Sequence, residues 1–157
     1  MKLIFLMLFI FLCSDQIAYS NSDRHAGFYY PVPSNIEEYN ARSRRMQGTT
    51  RRTRIGFVVS IVDQMAKRPY PPTVSVFVKG DKAQKLIIVA NEDSRLNTIF
   101  RVRAYLATLT SIARTLPVFT ELKVEDMFTF LDLLKMLGFT QVTLSDGDIF
   151  SHQILIK

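Results

Sequence analysis

Within eight residues near the carboxyl end, Ser145, Asp146, Asp148, Ser151 and His152 bring hydroxyl, carboxylate and imidazole groups together. These are the side chains from which a hydrolase assembles a nucleophile and its base, with histidine as the general base. A relay of that kind needs the imidazole between the hydroxyl and the carboxylate, and neighbours in one hairpin seldom supply that geometry. No GxSxG turn is present to expose a serine. His152 therefore has two readings: a catalytic base served by Ser145, Asp146 or Asp148, or a packed, hydrogen-bonded side chain in a strand that alternates Phe150, His152, Ile154 and Ile156. Asp146 and Asp148 around Gly147 also resemble a fragment of a calcium loop, but lack its other acidic positions and its closing glutamate. A polar hairpin turn explains the same residues.

The second concentration of chemistry is basic. Arg42, Arg44, Arg45, Arg51, Arg52 and Arg54 put six guanidinium groups into thirteen residues. Asn21 to Arg114 holds 16 Lys+Arg against 7 Asp+Glu, whereas Thr115 to Lys157 holds 3 against 6. The net charge of +6 is thus a local basic segment set against a mildly acidic carboxy-terminal third. Three roles fit it: a solvated face, docking on the acidic region or an acidic protein partner, or binding of an anionic surface, since arginine pairs bidentately with phosphate.

Other chemistries are poorly provided for. His25 and His152 are the only histidines and Cys13 the only cysteine, so no zinc-ligand spacing occurs and no metal is expected. The six glycines are nowhere closer than eight residues. A phosphate cradle needs them adjacent, so neither a P-loop nor a dinucleotide fingerprint is present, and no cofactor is expected.

The elements that must position these groups follow from periodicity. Ser34 and Glu37 have the form of a capping box, which predicts a polar leading helix over about 35–47, ended by Gly48. The run IGFVVSIV, Ile55 to Val62, reads as a buried strand. After the stiff PYPP connector, 73–78 and 85–90 read as a hairpin turning at Gly80 and Asp81, with the apolar run Leu86–Val89 central. A helix over about 95–116 presents Ile99, Val102, Leu106, Leu109 and Ala113 on one face and stops before Pro117. A second helix is expected over about 124–137, stopped by Gly138, and a last hairpin, 139–145 with 149–156, turns at Asp146 and Gly147. The expected fold is α+β, or three-layer α/β if the sheet is covered on both sides. It comprises a mixed, mainly antiparallel sheet of about five strands, two core helices and the leading polar helix.

The amino terminus carries an address. Met1 and Lys2 precede eleven unbroken apolar residues, Leu3 to Cys13, and then Ser14, Asp15 and Gln16, the pattern of a secretory signal. A membrane span needs about 20 apolar residues. Ala18 and Ser20 place cleavage after Ser20, which predicts an exported, periplasmic or secreted chain of 137 residues without cysteine. Acylation of Cys13 is the rival, opposed by bulky Leu12. An extended arm, 21–33, with Tyr29, Tyr30 and Pro31, would lead into the basic helix, making residues 21–53 an appendage to a domain of 54–157. In the envelope the available polyanions are phospholipid head groups and polysaccharides; nucleic acid is not an expected partner.

The phrases DRHAGFYYPVPSNIEEYNAR, RPYPPTVSVFVKGDKAQKLIIVA, RVRAYLATLT, FTFLDLLKMLGFTQVTLSDGD and FSHQILIK resemble a family of small exported bacterial proteins of unknown function. Its members are often labelled molybdopterin-guanine dinucleotide biosynthesis protein A. The resemblance covers most of residues 23–156 and implies an uncharacterised exported protein; the label would imply a nucleotidyltransferase. True enzymes of that name have a glycine-rich nucleotide loop after their first strand, whereas the strand expected at 55–62 leads to DQMAKRPYPP. No active-site residue is carried over. Two functions follow: a non-catalytic binding protein acting through its arginine surface, and an enzyme, either a nucleotidyltransferase by label or a hydrolase using Ser145 to His152.

Overall fold

The computed structural model describes residues 32–91, 96–124 and 126–157. The signal segment, its cleavage point, Cys13, His25 and the Tyr29–Tyr30 arm lie outside the described residues. Residues 31–157 form one compact unit. Its described elements are β1 (Asn35–Tyr39), α1 (Arg51–Ala66), β2 (Val74–Lys79), β3 (Lys85–Ala90), α2 (Ile99–Arg114), α3 (Pro117–Thr120), α4 (Phe130–Met136), β4 (Gln141–Ser145) and β5 (Ser151–Ile156). The fold is α+β, with five strands in the order β1-β5-β4-β3-β2.

Both expected hairpins form: β2 pairs antiparallel with β3, and β4 with β5. The other two pairings, β1 with β5 and β3 with β4, are parallel. The sheet is therefore evenly mixed rather than mainly antiparallel. Side chains alternate across a strand, and in β3, β4 and β5 it is Leu86, Ile88, Val142, Leu144, Ile154 and Ile156 that enter the core cluster. That face meets Phe57 and Ile61 of α1, Val102 and Leu109 of α2, Phe119 of α3 and Leu133 and Leu134 of α4, so the described helices and the sheet make two layers. Ile87 and Thr143 point to the other face and are also buried.

Two elements differ from expectation, each for a local reason. Residues 35–39 form a parallel edge strand, not the start of a helix. The capping-box residues are engaged elsewhere: the Ser34 hydroxyl donates to Ser151 O at 2.8 Å and accepts from Ser151 N–H at 2.9 Å, while Glu37 reaches His152 at 3.0 Å. Residues 55–62 lie in a helix, not a strand. Arg54, Phe57, Val58, Ile61 and Met65 are its buried positions, a stripe of helical period that a buried arginine disguises. Thr50 caps it in a reciprocal box with Thr53. The domain boundary expected at 53/54 falls inside this helix, and β1 belongs to the same sheet, so residues 35–53 are integral to the fold.

The helix expected at 124–137 is shorter. Thr129 and Asp132 form a capping box that starts α4 at Phe130, and Pro117 opens the single turn of α3. No described helix is long and apolar enough to cross a membrane.

Candidate functional site

The Ser145–His152 cluster is pulled apart by the pleat. His152 is the register partner of Leu144, so it shares the helix-covered face, and Ser145 points the opposite way. The Ser145 hydroxyl donates to Phe150 O at 2.9 Å and accepts from Gly147 N–H at 3.0 Å. Asp146 Oδ1 accepts from the N–H groups of Asp148 and Phe150 at 2.9 and 3.0 Å. These are turn-building bonds, with Gly147 at φ +89° supplying the left-handed residue. Asp148 is exposed. No serine–histidine relay is built from this cluster, and among the described residues no group of three or more His, Cys, Asp or Glu side chains is placed to hold a metal ion.

His152 instead meets a carboxylate 115 residues away in sequence. Its Nε2 lies 3.0 Å from Glu37 Oε2, and the same oxygen accepts from Arg103 Nη2 at 3.5 Å. An ionised carboxylate only accepts, so Nε2 carries the proton. Nδ1 is buried without a partner. This Arg103–Glu37–His152 chain ties α2, β1 and β5 together. Its signal in the sequence is the alternation that sets Glu37 and Tyr39 on one side of β1, visible only once the segment is read as a strand.

The six arginines divide. Arg54, 3% exposed, donates Nε to Lys82 O at 2.8 Å and Nη1 to Leu137 O at 3.0 Å. Desolvation by burial, and then the neighbouring charge of Arg45, lower its pKa from the ordinary arginine value. It is a structural cation at the carboxyl end of α4, where backbone carbonyls favour positive charge, and the expectation that it belongs to a binding surface is corrected. Arg45 folds onto Thr49, with Nε to the hydroxyl at 2.9 Å and Nη2 to the carbonyl at 3.0 Å. Arg42 pairs with Asp132 at 3.1 Å and donates to Met127 O, so one arginine does dock on the acidic region.

Arg44, Arg51 and Arg52 remain. All three are exposed, and none has an ion-pair partner among the described residues. Arg51 and Arg52 begin α1, whose first turn holds no acidic residue. Positive side chains at the positive end of a helix dipole cost the helix roughly 0.3–1 kcal/mol each. The same arrangement concentrates guanidinium groups and free backbone N–H groups where an anion would be attracted.

Asp132 is the hydrogen-bond hub that holds Arg42. Fully buried, it accepts from the N–H and Nη2 of Arg42, the Tyr39 hydroxyl, and the N–H and hydroxyl of Thr129. Burial alone would raise its pKa, but the hydrogen bonds from Thr129 and Arg42 outweigh burial and hold it below the usual carboxylate value. No family model matches the chain, and no curated protein or solved structure matches it either.

Proposed function

We propose that this chain is a non-catalytic, exported envelope protein that docks on an anionic phospholipid surface through Arg44, Arg51 and Arg52. The observation that carries the reading is the division of the arginine segment. Arg42, Arg45 and Arg54 are bonded within the fold, whereas the exposed Arg44, Arg51 and Arg52 have no ion-pair partner among the described residues. The apolar leader Leu3–Cys13 supports export, as does the resemblance to small exported bacterial proteins. The family label's nucleotidyltransferase reading draws no support from the residues after β1, where 40–50 carry only Gly48.

Each arginine near an anionic leaflet is worth about 1 kcal/mol. Replacing Arg44, Arg51 and Arg52 together by Gln should therefore weaken co-sedimentation with phosphatidylglycerol vesicles by about 100-fold. Wild-type binding should fall as salt is raised. Binding that ignores both salt and the triple substitution would sink the proposal.

A further inference from the structure

Along α2, Arg103, Leu106, Ala107, Thr110, Ser111 and Arg114 recur at the three- and four-residue spacing of one helix face. This face forms one wall of a groove of about 500 Å³; Tyr39, Thr129, Phe130 and Leu131 form the other. Its size lies within the range of small-ligand sites, about 300–1,000 Å³. Two arginines line it, and among the described residues no acidic side chain does.

The two cations are not equivalent. Arg103 already leans on Glu37. Arg114 has a buried Nε with no partner, and its Nη2 reaches Phe128 O only at 3.5 Å. A guanidinium carries five donors, so this one is under-used. The hydroxyls around it are occupied: Thr110 donates to Leu106 O and accepts from Phe130 N–H, and Thr129 serves Asp132. Beside Arg114 the wall is apolar, with Leu106, Ala107, Phe130 and Leu131. At 1.5 Å per residue, the helix rises about 16 Å between the two arginines.

We infer that this groove binds a single-chain anionic amphiphile, with a carboxylate or phosphate-monoester head on Arg114 and the chain lying over Leu106 and Phe130 toward Arg103. The head pairs with the under-used guanidinium of Arg114; the chain covers the apolar wall. The site is separate from the arginines of the proposed membrane surface.

The test is calorimetric titration of the full chain with dodecanoate, dodecyl phosphate and dodecanol, each kept below its aggregation concentration. One-to-one binding is expected for one or both anions, their ratio reporting the preferred head, with dodecanol at least tenfold weaker. Arg114→Gln should lose at least tenfold, and the Arg44, Arg51, Arg52 triple variant should bind as wild type does. If Arg114→Gln fails to fold, Ala107→Trp, which fills the groove from an exposed position, should abolish binding. Dodecanol binding as tightly as dodecanoate, no saturable binding of either anion, or full binding by the Ala107→Trp chain would overturn the assignment.

Discussion

Asp132 gathers donors from two separate stretches of chain, 39–42 and Thr129 at the start of its own helix. Removing the carboxylate leaves those donors facing a buried void, so Asp132→Ala should cost about 3 kcal/mol of stability near neutral pH. The pH dependence has a definite sign. The folded carboxyl titrates below the unfolded one, which sits near 3.9, so its contribution is complete above the unfolded value and is lost as pH falls through the folded value. Urea unfolding of both chains through the acid range should show the gap between them closing at low pH; a gap independent of pH would refute the hub role. From the sequence, Asp132 is one polar residue on a mostly apolar helix. Its importance was not legible there, because its partners at 39 and 42 lie 90 or more residues away.

Helix ends and interiors make opposite demands on glycine, and α1 and α4 provide one of each. Gly138 follows α4 at φ +81°, and a Cβ there would stand 2.8 Å from Arg45 Nε and 2.9 Å from Arg54 Nη1. Gly138→Ala should lose at least the 1–2 kcal/mol or so of the left-handed conformation. Gly56 lies inside α1 with open space around the missing Cβ, so Gly56→Ala should gain roughly 0.5–1 kcal/mol. Thermal unfolding of the pair reads both signs at once; equal shifts would contradict the backbone assignment. The glycine stop at 138 was legible because a chain leaving a helix reads as a local pattern. The helix at 51–66 was not: its β-branched run has strand propensity, and the buried Arg54 breaks the apolar stripe that would have revealed the period. The Ser34–Glu37 box failed for a related reason. A local signal of about 1 kcal/mol was outweighed by pairing with a distant strand.

At the scale of the molecule, what the sequence exposed were contacts between neighbours in the chain. Both hairpins, the turns at Gly80 and Gly147, and the α+β class were readable because each rests on adjacent segments. The parallel pairings were not, since β1 meets β5 across 117 residues and β3 meets β4 across 56. Central strands open only with the whole fold, whereas an edge strand can open alone. Amide exchange should therefore be slowest in β3 and β4 and fastest, among the strands, in β1. A β1 as protected as β4 would contradict the edge placement. The candidate site behaves likewise: the arginine segment was conspicuous, but that Arg54 is buried and Arg42 is tied down was decided by Leu137, Lys82 and Asp132, none of them nearby in sequence.

The order β1-β5-β4-β3-β2 also bears on how the protein is made. A chain emerging from a ribosome delivers β1 before any other described strand. Among the described strands it pairs only with β5, which comes last of them. Until residues 151–156 have cleared the tunnel, β1 lacks its described partner, Glu37 lacks the His152 imidazole and the sheet cannot close. The sheet is therefore closed late, once residues 151–156 are free to pair.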